Sequence, residues 1–350
     1  MLRRASDEQC PINGALELLP LCNMNCDMCY IRLDRAEMEH NGGLHTADEW
    51  IRLGLEMQKA GVLFLLLTGG EPLLFPGFKT LFTELKQMGM ILTINTNGTL
   101  LNEEWADFFK HNRPRRINIT LYGADDSTYE RLCHYPEGFE KTVSGIRLLK
   151  DRGIDVKING SVTKYNYDEM ERMYEIGKSL GVPVHMDTYM LPGIHERGLP
   201  FEIQSRLSPE EAAEAELEMR RHEMEAETFQ LYVKQILLRI EKEKHVYPDG
   251  ITCMAGNCSF AVNWQGRIRP CVTLEEPSAS VFETGFMAGW QQVSEKAKAY
   301  RGNAKCGRCR LRPVCKACVA SAWLETGEYD GVPQYLCRYA EEYVRLLKIS

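Results

Sequence analysis

An α/β fold built on a parallel sheet, flat or curled into a partial barrel, is the class that this 350-residue chain predicts. Three observations predict it. Six short apolar or β-branched runs recur between residues 15 and 190. Amphipathic stretches of helical period separate them. Several of those stretches end in glycine, as helix C-termini do.

The strand-like runs are Ala15–Pro20, Val62–Leu67, Met90–Asn95, Arg116–Leu121, Ile154–Thr163 and Pro183–Met190. Thr46 precedes "ADEWIRLGLEMQKAG" as an N-cap, with Glu49 at the capping-box position and Gly61 as the stop. "FKTLFTELKQMGM", "NEEWADFFKHN", "FEKTVSGIRLLKDRG" and "YDEMERMYEIGKSLG" supply the next helices. In such a fold the chemistry sits at the carboxyl ends of the strands. The loop "LPGIHERGLPFEIQSRL" then leads to a long helical pattern that opens on Ser208, Pro209 and Glu211. It extends to about His245, with room for an interruption. From Ile251 the chain is rich in cysteine, glycine and arginine and has little period until a helix near Leu336–Ile349. The expected division is a segment 1–14, a barrel region 15–200, a helical bridge 201–250 and a C-terminal domain 251–350, with the boundary near 245–250.

Bulk properties exclude some roles. A net charge of −7 argues against a general nucleic-acid binder. The longest apolar run, "GVLFLLL", is too short to span a bilayer, and "MLRRASDEQCPING" has no apolar core for export. A cytoplasmic protein with no membrane partner is expected.

Thirteen cysteines are the anomaly, and they cluster at residues 22–29, 253–271 and 306–318, with Cys337, Cys10 and Cys133 apart. Short spacings in a long chain without an export signal read as metal or iron–sulfur ligation. Cys22, Cys26 and Cys29 follow the first strand in "LELLPLCNMNCDMCYIRL", one thiolate short of a closed site. A helix face or a zinc ion with a distant fourth ligand would also suit the spacing. Two further strand ends are distinctive. "LLLTGGEPLL" places Gly69 and Gly70, which let the backbone approach a ligand, before the carboxylate of Glu71. "INTNGTLL" offers Thr96 and Asn97 beside a turn glycine.

In "CNMNCDMCY", "GGEP" and "TNGTLL", in that order, the chain resembles the radical S-adenosylmethionine (SAM) enzymes. The resemblance spans about residues 15–200 and implies a partial (β/α)6 TIM-like barrel. It further implies that Cys22, Cys26 and Cys29 hold three irons of a [4Fe–4S] cluster whose fourth iron takes SAM, and that an electron donor such as flavodoxin or ferredoxin serves it. Gly69, Gly70 and Glu71 are then expected at the SAM amino group, with Thr96, Asn97 and Thr120 as further contacts and Arg131 or Lys141 at the carboxylate. Met28 stands where relatives often carry an aromatic residue near adenine, and Tyr122 where they often carry an acid.

The C-terminal cysteines run C-x4-C-x7-G-x4-C from Cys253 through Cys258 to Cys271, then Cys306, Cys309, Cys315, Cys318 and Cys337. Paired C-x2-C turns are strong ligand signals for a cluster or for structural zinc. This part resembles the SPASM extension, an iron–sulfur domain with two auxiliary [4Fe–4S] clusters. By that resemblance Cys253, Cys258, Cys271 and Cys318 hold one, and Cys306, Cys309, Cys315 and Cys337 the other. Closed ligation of this kind implies electron relay. Two residues separate Cys315 from Cys318 where relatives have three. Nearby Lys305, Arg308, Arg310, Arg312 and Lys316 form either a solvated basic face or a counter-charge to the clusters.

SPASM relatives mostly modify peptides or proteins, by crosslinking, epimerisation or oxidation, so a ribosomally made peptide substrate is expected. Only about fourteen residues precede the first strand, so in place of a fused clamp a separate peptide-binding partner or the barrel mouth itself is expected to hold the peptide. Val272 follows Cys271 where sulfatase-maturing relatives carry an Asp base. Cys133 is a candidate hydrogen donor, and His134, His185 and His195 candidate acids or bases. The alternatives are a small-molecule enzyme, such as a tetrapyrrole side-chain decarboxylase, and a non-catalytic iron–sulfur protein.

Overall fold

A computed structural model describes residues 2–242, 246–248 and 250–350. All six expected strands form: β1 Asn13–Glu17, β2 Phe64–Thr68, β3 Ile91–Thr96, β4 Arg116–Leu121, β5 Val156–Ser161 and β6 Val184–Asp187. Neighbours pair in sequence order and every pair is parallel. The sheet stays open, so the barrel is partial.

The crossovers are helical for the reasons visible in the sequence. Thr46 accepts from the Glu49 amide while Glu49 reaches back, which closes a capping box on helix Ala47–Lys59. That helix buries Trp50, Leu53 and Met57 against the sheet. Phe78–Gln87, Glu103–His111, Gly138–Asp151 and Met170–Leu180 repeat the pattern. Leu16, Leu67, Ile94, Ile119 and Ile158, from successive strands, are fully enclosed. The long bridging pattern is two helices, Pro209–Glu223 and Ala226–Lys242, because Met224 turns extended at ψ 139°. The anticipated end at His245 lies outside the described residues.

The C-terminal part holds more regular structure than its sequence suggested, and it continues the same sheet. Strand β7, Ser259–Val262, adds parallel to β1, and β8, Arg267–Arg269, and β9, Ala279–Ser280, follow antiparallel. Strands of four, three and two residues are too short to show an alternation. Helices Phe286–Ala297 and Val319–Thr326 were likewise not foreseen. Gln334–Leu347 matches the expected terminal helix; it packs on Pro209–Glu223, with the Tyr335 hydroxyl donating to the Leu207 carbonyl at 3.0 Å.

The β1–β7 junction depends on an absent side chain. A Cβ on Gly14 would sit 2.3 Å from the Phe260 ring, which itself packs edge-on against Phe286 and Trp290. No described helix is long and apolar enough to cross a membrane. Gly14→Ala should therefore cost about 1–3 kcal/mol by overpacking. Urea melts of Gly14→Ala and Gly14→Ala/Phe260→Leu check this, with the double variant regaining part of the loss.

Candidate active site

The carboxyl ends of the parallel strands enclose a cavity of about 190 Å³. Cys22, Cys26 and Cys29 form one wall, and Gly69, Gly70, Thr96, Asn97 and Thr120 another. Met28 also lines it, as do Tyr30, Arg32, Thr68, Tyr122, Ser161 and Met190.

The cysteine loop is clamped by its own backbone. The amides of Asn25 and Asp27 donate to the carbonyls of Cys133 and Leu132 at 2.9 and 3.1 Å. Ile194, from the loop after β6, donates to the Cys29 carbonyl at 2.7 Å. Three N–H groups point at sulfur: Met24 to Cys22 at 3.4 Å, the Asn97 amide to Cys22 at 3.6 Å and Arg32 to Cys29 at 3.3 Å. Burial, reinforced by Glu71, pushes the bare Cys22 thiol up to about 12, and burial with Cys26 pushes Cys29 to about 11. Metal must therefore displace protons from these thiols as it binds.

These residues fit a cluster better than a single ion. A tetrahedral zinc with sulfur ligands needs sulfurs roughly 3.8 Å apart. Among the described residues no three cysteine sulfurs lie within 4.8 Å of one another; the one set so close is Glu171, Glu218 and His222 on the outer helices. At Gly69 and Gly70 the cavity wall is bare backbone. Gly69 has φ +146°, and a Cβ on Gly70 would lie 2.3 Å from the Leu21 carbonyl oxygen. The strand ends are thus pressed together as only glycine permits.

Glu71 has a different place from the one expected. It is wholly buried and does not line the cavity. Its two oxygens accept from the Leu73 amide at 3.0 Å, the Thr96 hydroxyl at 2.8 and 2.9 Å and the Asn97 amide at 2.9 Å. Burial pushes its acid constant up to about 7, against the pull of the Asn97 and Leu73 amides. The carboxylate braces the ends of β2 and β3, and of this loop it is Gly69 and Gly70 that line the cavity.

Arg131 and Lys141 do not line the cavity either. Arg131 bonds Thr128 at 3.0 Å, and Lys141 is exposed and pairs with Glu137 at 3.0 Å. Cys133 ends helix Asp126–Cys133, wholly buried behind Cys26, and lines neither this cavity nor the next. The histidines are likewise engaged: His134 with Asp27 at 2.7 Å, His185 with Glu223 at 2.6 Å and His195 with the Arg32 carbonyl at 2.9 Å. Thr68, Ser161 and Met190 were legible in principle, as the last residues of predicted strands or their neighbours. Tyr30 and Arg32 lie in an aperiodic loop that carries no such signal.

A second cavity of about 250 Å³ adjoins the first through the shared walls Met28, Tyr30 and Met190. Its far side includes Val272 and Thr273, which directly follow Cys271. A third, of about 360 Å³, continues past Tyr30 and Arg197. There Arg197 pairs with Glu275 at 2.7 Å, and Arg269 with the buried Glu17.

The C-terminal cysteines fall into two neighbourhoods. Cys271 is in electrostatic range of Cys318 and Cys253, and Cys337 of Cys315, Cys306 and Cys309. The structure does not bring Cys258 to the first set. It is fully enclosed with Ala5, Ile12 and Cys10, its thiol directed at the Leu2 carbonyl. Of the basic residues, Lys316 ties this region to the bridging helix through Glu216 at 2.7 Å, and Arg312 bonds the Ala317 carbonyl at 2.5 Å and acts electrostatically on Cys306 and Cys315.

Residues 16–196 match the radical SAM superfamily. The chain belongs to that superfamily. Membership implies SAM and a [4Fe–4S] cluster. Among curated radical SAM relatives, the AdoMet-dependent heme synthase of Methanosarcina barkeri is 27% identical, over 90% of this chain and 93% of that one. The sporulation killing factor maturation protein SkfB of Bacillus subtilis is 26% identical over 48% of this chain and 40% of its own. In fold, the chain resembles anSMEcpe with bound AdoMet, with a TM-score of 0.69–0.72 across solved forms and 0.72 for the native one, at 17% identity over 97% of this chain and 99% of that one.

Glu71 receives donors and offers none, so an amide there faces an N–H with an N–H. Glu71→Gln should lose about 1–3 kcal/mol of stability. Chemical denaturation of the purified variant measures it, and an unchanged midpoint would contradict the brace.

Proposed function

We propose that this chain is a radical SAM oxidoreductase acting on a small carboxylate-bearing molecule, a tetrapyrrole side chain being the reference case. The observation that carries the reading is coverage: similarity to the heme synthase of Methanosarcina barkeri runs through both chains nearly end to end. Similarity to SkfB stops at about half of this chain. The C-terminal cysteines and their share of the cavity wall therefore fall inside the first match.

The geometry supports a small substrate. The two adjoining cavities, of about 250 and 360 Å³, are of the size that holds a compact ligand. When bound, the cluster and SAM supply a carbon-centred radical able to take hydrogen from an unactivated carbon. The chain's own part is placement. Cys22, Cys26 and Cys29 would hold the irons, the Gly69–Gly70 backbone and Asn97 would border SAM, and Met28, Tyr30 and Met190, shared by the two cavities, would lie between it and the substrate. Packing by Leu324, Pro192 and Leu191 limits water on the substrate side.

Decarboxylation after loss of a hydrogen atom leaves one electron to dispose of. A SPASM-type domain with two auxiliary [4Fe–4S] clusters would accept it. Cys306, Cys309, Cys315 and Cys337 suit one cluster; Cys253, Cys271 and Cys318 face a second. Cys271 leads directly into the cavity wall at Val272, which makes the path from substrate short. An external flavodoxin or ferredoxin would supply the initiating electron.

A peptide substrate is the second reading. It is favoured by the likeness to SkfB, whose name is that of a maturation protein. On this reading the third cavity admits an extended chain, with or without a separate peptide-binding partner.

Anaerobic reconstitution with SAM, dithionite and a propionate-bearing iron tetrapyrrole tests the choice. The expected products are 5′-deoxyadenosine and a decarboxylated tetrapyrrole by mass spectrometry. An inert tetrapyrrole, together with a mass shift on a co-expressed peptide, would overturn it. The reconstituted chain should hold about twelve irons. Cys22→Ala should lose about four of them and all SAM cleavage. Cys271→Ala should lose about four but retain SAM cleavage, with substrate turnover abolished.

A further inference from the structure

Arg32 is the one charged residue lining the SAM cavity among those described. Among the described residues its guanidinium forms no ion pair, and its Nε–H is enclosed without an acceptor. Its backbone, by contrast, is held at both ends: the amide donates to Cys29 sulfur at 3.3 Å and the carbonyl accepts from His195 at 2.9 Å. Ordering a cation beside a buried site and leaving it unpaired is costly unless a ligand completes it.

The surrounding charges show what is missing. Arg32 also lines a side cavity of about 360 Å³ with Asp27, His195 and Glu196. Asp27 is taken by His134 at 2.7 Å, and one oxygen of Glu196 accepts from the Ser205 amide at 2.5 Å while its Oε2 is enclosed without a donor. Neither forms an ion pair with Arg32. The rest of the lining of the SAM cavity offers only sulfur, hydroxyl, amide and apolar groups. Planar N–H pairs of this kind match a carboxylate.

We propose that Arg32 is a carboxylate-binding residue at the edge of the SAM cavity, filling the role that the sequence had suggested for Arg131 or Lys141. Two sources offer that chemistry, the methionyl carboxylate of SAM and a carboxylate of the substrate. The first rests on superfamily membership alone. The second rests also on the proposed substrate class.

Equilibrium binding to the reconstituted holoenzyme separates them. The wild type, Arg32→Gln and Arg32→Lys are compared with SAM, decarboxylated SAM, the propionate-bearing tetrapyrrole and its methyl ester. Iron content and the melting temperature are measured alongside. If SAM is the source, Arg32→Gln weakens SAM roughly tenfold to hundredfold and leaves decarboxylated SAM unchanged, with Arg32→Lys between. If the substrate is the source, SAM is unaffected and the tetrapyrrole alone weakens, its ester not. Either result supports the assignment. Unchanged affinities for all four ligands would overturn it, and a lowered cluster potential in that case would assign Arg32 to balancing thiolate charge. Arg32→Lys keeps the charge, so it reports on binding even if Arg32→Gln assembles poorly. A failed tetrapyrrole assay leaves the SAM arm intact, which keeps the two proposals distinguishable.

Discussion

The site hangs from a clasp between the chain leaving β1 and the chain leaving β2. The Gly70 amide donates to the Leu19 carbonyl at 2.7 Å, and the Glu71 amide to Leu21 at 2.9 Å. No side chain fits between them, since a Cβ on Gly70 would overlap the Leu21 carbonyl. The clasp sets the height of the cysteine loop above the sheet. It also turns Glu71 inward, where its carboxylate collects donors from the ends of two strands. The cysteine loop and the glycine side of the cavity are therefore parts of one hydrogen-bonded unit.

That unit explains how a buried acid is used. A carboxylate with no counter-charge is costly to enclose, and burial raises its acid constant accordingly. Donors from Thr96, Asn97 and Leu73 offset part of the cost. The stabilising contact is with the protein's own backbone, which frees Asn97 to bond Asn23 at 2.9 Å and approach Cys22. Loop and strand end are thereby held in register before any ligand arrives.

The second organising feature is the extension of the sheet by β7–β9. Because β7 pairs with β1, the C-terminal cysteines are carried on the edge of the barrel itself. Cys271 follows β8 closely and leads into the substrate-side wall. Lys316, between Glu216 and the rings of Tyr189 and Tyr339, fixes the other cysteine set to the bridging helix. The two cysteine regions are thus built into one framework with the barrel.

Much of this was legible in the chain alone. Apolar runs separated by capped amphipathic helices determined the parallel sheet, and the capping boxes at Thr46 and Ser208 formed where the residues placed them. The cysteine spacing and the "GGEP" and "TNG" loops determined which strand ends carry the site, because each such motif is local. Tertiary structure decided what depends on direction. Glu71 points inward, Cys133 lies behind Cys26, Cys258 faces the N-terminal helix, and Arg131 and Lys141 lie off the cavity that Arg32 lines. A motif specifies which groups are near a strand end. Which of them face the cavity is set by packing on the opposite side of the backbone, and those neighbours lie far away in the sequence.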